Sequence, residues 1–336
     1  MRVNENILIS SLTTMRLGGP ARYVLEVETK QDVSDAYGFA AQYNLPVFAL
    51  GYGANTIGHD EGFDGAIIIN RMQGIDENTS SSGARLKIMG GEYWDKVVEY
   101  VCQKGLTGIE ALSKIPGLVA SAPIQNIGAY GQEISDTLES IEVYDIASNT
   151  FTTLYHDNLN FSYRKSILNT TERGRYFVIS VTLNLRSGKM PRPFYNSIET
   201  YITEHEITDF SPQSIREIVS TIRADKLPDP IKTPSAGSFF KNILLTDDEA
   251  EAAENKDIPV HRGPHGNKIN SAWLIEKAGF KGQLLHGIRV HDKAPLVLIN
   301  ESAKSYNDLM KAREEIVAGV YDKFGYWLEQ EPVEIK

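Results

Sequence analysis

Ala236-Gly237-Ser238-Phe239-Phe240-Lys241-Asn242 is the stretch from which this chain is best read. Its pattern fits neither an amphipathic helix nor a half-buried strand. A glycine precedes a hydroxyl, two aromatics follow, and then come a cation and an amide. The glycine lets backbone approach a ligand closely, and the aromatics can anchor the segment in a core. Such a run can hold one serine in a fixed, partly dry position, as proton transfer requires. Alone, it serves equally as a tight turn beside a core strand. Two further segments of unusual composition, residues 121–131 and 161–167, shift that balance.

Regular structure surrounds these segments. Residues 23–28 alternate as a strand. Residues 30–43 carry helical spacing, with Val33, Ala36, Tyr37 and Ala40 on one face. Residues 46–50 form a short buried strand that runs into Gly51-Tyr52-Gly53-Ala54-Asn55-Thr56, and 66–69 form the next strand. That order suits a small α/β unit. A strand at 86–89 and a helix at 92–104 follow, the helix turning Trp94, Val97, Val98 and Val101 inward. Residues 105–135 have no clear period, and a long irregular segment inside a globular chain is usually functional. Strands return at 140–144, 150–155 and 176–185, and a helix spans 212–224. Lys226-Leu227-Pro228-Asp229-Pro230 punctuates the chain as a domain link, and a helix at 271–278, a strand at 296–300 and a helix at 306–324 lie beyond it.

Composition narrows the classes. The 336 residues are 41% hydrophobic and 23% charged, which suits two or three domains with sizeable cores. A net charge of -10 offers no broad cationic field, so a nucleic-acid or anionic-membrane surface is not expected. No stretch is long and apolar enough to span a bilayer, and residues 1–6 lack a signal-peptide core; a cytoplasmic protein is expected. The single cysteine, Cys102, reads as a packed core thiol. No metal site is expected: His261 and His265 are four apart, but Gly263-Pro264 between them breaks the helix that such spacing needs.

Each unusual segment has a chemistry. Gly51-x-Gly53 follows a buried strand, but Thr56 stands where a dinucleotide fingerprint has its third glycine, and a strand follows instead of a helix. The loop can still present backbone N–H groups to a pyrophosphate. Within residues 121–131, small residues permit close approach while Gln125 and Asn126 supply donors and acceptors able to read a flat, polar-edged ring. Arg164 is either a surface charge or a fixed guanidinium gripping a carboxylate in bidentate fashion. Glu331 reads by default as a solvated acid, and His59 as a polar loop residue.

Together these segments resemble the UDP-N-acetylenolpyruvoylglucosamine reductase family (UDP-N-acetylmuramate dehydrogenases). The resemblance runs along essentially the whole chain through TTMRLGG at 13–19, LGYGAN at 50–55, IPG at 115–117, PIQNIGAYG at 123–131, YRKS at 163–166, KLPDP at 226–230, AGSFFKN at 236–242 and WLEQE at 327–331. It implies an α+β chain: a two-subdomain FAD-binding fold of the vanillyl-alcohol-oxidase (PCMH) type, at 1–70 and 71–225, plus a separate α+β substrate-binding domain at 226–336. It implies non-covalent FAD, NADPH as co-substrate and UDP-N-acetylglucosamine enolpyruvate as substrate. The reaction would be hydride delivery from flavin N5 to C3 of the enolpyruvyl group, giving UDP-N-acetylmuramate for peptidoglycan.

By the same resemblance Ser238 is the proton donor to C2, while Arg164 and Glu331 match the other two active-site positions. Arg164 would polarise the substrate carboxylate, and Glu331 would have to be protonated to donate to the enolate, which implies a raised pKa. Ser238 would need a nearby cation or relay, and Lys241 is the nearest candidate in sequence. Flavin contacts would come from Gly51, Gly53, Ala54, Asn55, Thr56, Ser121, Pro123, Gln125, Asn126 and Gly128. Substrate contacts would come from Tyr163, Tyr195, Lys226 and Asn242, with Tyr195 closing over the UDP part in the longer subtype. Ala54 stands where a serine is usual, and Ala294 where some members carry a glutamine. A carbohydrate oxidase on the same scaffold is the alternative, to be distinguished by its oxygen reactivity.

Overall fold

The computed structural model describes residues 1–263 and 266–336. It is a mixed α+β structure that divides into two compact units. One comprises Met1–Glu5, Tyr23–Tyr52 and Asp64–Asp225; the other comprises Asn6–Arg22, Gly53–Phe63 and Lys226–Lys336.

The first unit holds two sheets. The smaller orders its strands Arg2–Leu8, Pro20–Val27, Phe63–Asn70 and Val47–Leu50, the last two parallel. Helix Lys30–Gln42 begins at a Thr29–Asp32 capping box and buries the expected Val33, Ala36, Tyr37 and Ala40. The larger sheet is antiparallel in the order Thr150–Tyr155, Leu138–Asp145, Tyr176–Ser187, Gly83–Met89, Ile75–Ser80. Helix Trp94–Gln103 buries Trp94, Val97, Val98, Val101 and Cys102 in the same core as this sheet. Helices Asn196–Glu204 and Pro212–Lys226 share a further core of Ile198, Ile202, Ile215, Ile218, Val219 and Ile222. Residues 105–135 are irregular, built from short 3-10 turns and two-residue strands.

The second unit is assembled around Phe239, Phe240, Leu274, Ile288, Leu298, Leu309 and Ile316. A four-stranded sheet orders Ser235–Ser238, Val297–Asn300, Ile288–Val290 and Leu284–Leu285. Helix Tyr306–Phe324 closes on Gly325, whose φ of 76° is the left-handed cap that glycine tolerates best. Strand Val333–Ile335 runs parallel to Thr56–Gly58. Of the paired histidines, His261 lies on strand Val260–Gly263 and His265 lies outside the described residues. No helix among the described residues is long and apolar enough to cross a membrane.

Candidate active site

In the second unit the run 236–242 is fixed by a bulge and two anchors. Gly237 adopts φ 69°, and the register steps from Ser235 opposite Ile299 to Ser238 opposite Val297, three residues against two. The extra residue bends the strand, and Ser238 is exposed at the bend. Phe239 and Phe240 then plunge into the core with ring centroids 5.2 Å apart. Phe239 N–H donates to the Leu296 carbonyl at 2.7 Å, so the backbone after Ser238 is held from both sides.

The chain end meets this run. Lys241 N–H donates to the Glu329 carbonyl and Glu331 N–H to the Phe239 carbonyl, both at 2.9 Å, around an antiparallel bridge from Phe240 to Gln330. Ser238 and Glu331, 93 residues apart (331 − 238), therefore come to one place. Glu331 is half-buried and not a freely solvated acid. The Lys241 ammonium pairs with Glu329 at 2.5 Å. Lys241, the cation nearest Ser238 in sequence, thus has an acidic partner across the antiparallel pairing.

Segment 13–19 supplies a tie that the sequence does not announce. Thr14 exchanges backbone hydrogen bonds with Ser235 and Gly53: Ser235 N–H donates to the Thr14 carbonyl at 3.1 Å, and Thr14 N–H to the Gly53 carbonyl at 3.1 Å. Its hydroxyl donates to the Ser235 carbonyl at 2.5 Å. Gly53 has φ 74°, and a Cβ there would lie 2.1 Å from the Leu12 carbonyl, so no other residue fits. Val333 N–H donates to the Asn55 carbonyl at 3.0 Å. The carboxyl-terminal segment thus touches both the serine run and the Gly loop. Asn242 accepts Ser271 N–H at 3.2 Å with its side-chain oxygen, which leaves its NH2 group to other partners. Lys226 ends its helix, exposed.

In the first unit, segments 121–131 and 161–167 are stitched together. Ser166 donates its hydroxyl to the Ile124 carbonyl at 2.7 Å, and Arg164 Nη2 donates to the Gly128 carbonyl at 3.1 Å. Buried Asn126 donates to Glu133 Oε2 at 2.6 Å and accepts Ser135 N–H at 3.2 Å. Its amide oxygen and NH2 therefore shape the loop. Arg164 sits at the tip of a tight turn closed by Ser162 and Lys165, at φ 56°. Asn126 and Tyr130 share that left-handed region, at φ 48° and 49°. Bulky residues rarely stay there, and such outliers cluster where backbone strain serves a ligand. The Arg164 guanidinium lies 5.1 Å from the centre of the Tyr163 ring.

Tyr195 precedes helix Asn196–Glu204, exposed, with its ring 5.9 Å from that of Tyr130. Burial pushes the Tyr130 hydroxyl up, against the pull of the neighbouring Arg223. Buried Pro123 and half-buried Gln125 lie on the same loop.

The residues suit a dinucleotide-sized flavin. Gly51 packs so closely on Ser121 that a Cβ would lie 2.0 Å from its hydroxyl, which joins two of the expected cofactor contacts through bare backbone. At the end of that loop Asn55 is half-buried and Thr56 buried. Among the described residues no His, Cys, Asp or Glu cluster could hold a metal ion.

Comparison with known proteins matches the same two regions. Residues 229–335 fit the family described as UDP-N-acetylenolpyruvoylglucosamine reductase, C-terminal domain, and residues 21–154 fit the family described as FAD binding domain. The reductase of that name from Amoebophilus asiaticus is 34% identical over 98% of both chains. That of Vibrio parahaemolyticus is 33% identical over 98% of this chain and 94% of its own, and that of Escherichia coli O157:H7 is 32% identical over 93% and 90%. The crystal structure of the Thermus caldophilus reductase superimposes with a TM-score of 0.69 over the whole of both chains, at 24% identity, which establishes the shared fold.

Proposed function

The chain belongs to the UDP-N-acetylenolpyruvoylglucosamine reductase family, and on that basis we propose that it reduces UDP-N-acetylglucosamine enolpyruvate to UDP-N-acetylmuramate with NADPH, in cytoplasmic peptidoglycan precursor synthesis. When bound, FAD would accept hydride from NADPH and deliver it from N5 to C3 of the enolpyruvyl group. The protein's own task is then to stabilise charge on C2 and the carboxylate, and to supply one proton.

The carrying observation is the antiparallel pairing that sets Glu331 beside the backbone of Ser238–Phe239. Ser238 would give its proton to C2. Glu331, in its acid form, would donate a hydrogen bond to the enolate, and Arg164 would grip the carboxylate. The left-handed turn supports that role, because it holds the base of the Arg164 side chain in one direction. With Lys241 engaged by Glu329, the proton on Ser238 would be replaced through solvent at its exposed position. Tyr163, Tyr195, Lys226 and Asn242 are proposed for the sugar nucleotide, with Tyr195 as a lid. The Gly loop and residues 121–128 are proposed for the flavin. We also propose the division into flavin parts at 1–70 and 71–225 and a substrate part at 226–336.

An anaerobic visible spectrum tests this. Oxidised-flavin absorption should bleach with NADPH and return when the enolpyruvyl compound is added. Bleaching without return would move the substrate elsewhere. A protein that takes up no FAD would end the proposal.

A further inference from the structure

The side chain of Gln330 bridges the backbone across Glu331. Gln330 Nε2 donates to the Pro332 carbonyl at 2.9 Å, which closes a small ring around the backbone of Glu331. The same nitrogen donates to Glu334 Oε1 at 3.1 Å, and Gln330 Oε1 accepts from Arg313 Nη1 at 3.1 Å. Both N–H bonds and the oxygen of one amide are thereby committed. The outer partners are themselves held. Glu334 receives His59 Nε2 at 3.1 Å and the Tyr306 hydroxyl. The His59 ring stacks on Tyr306 with centroids 3.8 Å apart. Helix Tyr306–Phe324, which carries both Tyr306 and Arg313, begins with Asp60 accepting Tyr306 N–H at 2.7 Å.

We propose that Gln330 is a positioning residue for Glu331, and that Arg313 and Glu334 clamp it. The amide ties the Gln330 side chain to the Pro332 carbonyl and so spans the backbone of Glu331, and the Glu331 N–H to Phe239 carbonyl bond holds that backbone beside Ser238. The direction in which the Glu331 carboxyl leaves the backbone is thus set by Gln330, which itself touches no reacting atom. A floppy acid would spend most of its time outside hydrogen-bond reach of the developing charge, so the cost of losing the clamp falls on the proton-coupled half of the reaction. This inference rests on the role proposed for Glu331.

The test uses stopped-flow absorption of the FAD-loaded enzyme, following each half-reaction separately. Gln330→Leu keeps the size and removes every polar contact. Flavin reduction by NADPH should stay within about twofold of the parent, while reoxidation at saturating enolpyruvyl substrate falls about 10–100-fold with KM within about threefold. In a Glu331→Gln background the same substitution should cost less than about threefold, because both changes act on one group. Arg313→Met should reproduce the loss and Arg313→Lys recover part of it; these two decide the matter if Gln330→Leu does not fold. Equal losses in both half-reactions, or in both backgrounds, would make Gln330 a fold residue and overturn the proposal. Full-speed reoxidation in Gln330→Leu and Arg313→Met, with Glu331→Gln slow, would overturn it while leaving the site intact. Full-speed reoxidation in Glu331→Gln would remove both.

Discussion

At Arg164 two demands meet on one residue. A non-glycine residue in the left-handed region costs about 1–2 kcal/mol, and the guanidinium bond to the Gly128 carbonyl returns about 1 kcal/mol. Arg164→Gly removes both, so thermal stability should stay within a few degrees while substrate-dependent flavin reoxidation falls by at least about 100-fold; a melting curve beside stopped-flow traces checks the pair. Ser238→Ala should leave reduction by NADPH nearly intact and slow reoxidation by several orders of magnitude. Equal loss in both steps would make Ser238 structural. Asn126 is a different case, because its amide joins Glu133 and the Ser135 N–H below the surface. Asn126→Ala should cost about 1–3 kcal/mol in denaturant unfolding, the penalty for buried groups left without partners. At this scale the sequence shows which residues are unusual but not how they are held. The paired phenylalanines after Ser238 announce an anchor. Nothing local to Arg164 announces a left-handed turn, and nothing in Thr14 announces its bonds to Gly53 and Ser235, which are set by tertiary contacts.

Among the elements, helix Trp94–Gln103 carries the best-defined charge. Asp95 accepts Arg216 at 2.7 Å and 3.1 Å and Lys114 at 2.9 Å. Burial alone would raise the Asp95 carboxyl, but these donors outweigh it and hold it far below the usual carboxylate range. A lowered carboxylate contributes stability above its ordinary pKa and loses it as pH falls. Asp95→Asn should therefore flatten the acid limb of a melting-temperature against pH plot, and a limb of unchanged slope would discount the pair. Arg216→Ala should cost about 1–3 kcal/mol, since it leaves the half-buried Asp95 carboxylate with Lys114 alone. On the same helix, burial pushes the Cys102 thiol up to about 12, so a disulfide reagent should find no reactive thiol until the protein unfolds.

The helices at Lys30–Gln42, Trp94–Gln103 and Tyr306–Phe324 were legible because one apolar face repeats at helical spacing. Strands Arg2–Leu8 and Ile75–Ser80 were not, because both are mostly exposed at sheet edges and lack an alternating apolar set. Helix Asn196–Glu204 is short, and its burial depends on the partner helix Pro212–Lys226.

For the whole molecule, ligand binding and folding are linked. FAD at about 100 times its dissociation constant should stabilise the protein by about 2.7 kcal/mol, seen as a concentration-dependent melting temperature. A melting temperature indifferent to FAD would contradict a bound flavin. The second unit draws its core from Asn6–Arg22, Gly53–Phe63 and Lys226–Lys336. During synthesis its two early pieces emerge long before their partners, and Thr56–Gly58 waits for Val333–Ile335. From residue 63 to residue 335 the ribosome adds 272 residues (335 − 63), roughly 14–54 s at about 5–20 residues per second. Until residues from 226 onward are made, Met15, Leu17 and Ile57, buried in the finished unit, lack most of the core that covers them. Chains stalled on the ribosome before residue 226 should therefore crosslink to holding chaperones, and the finished protein should not.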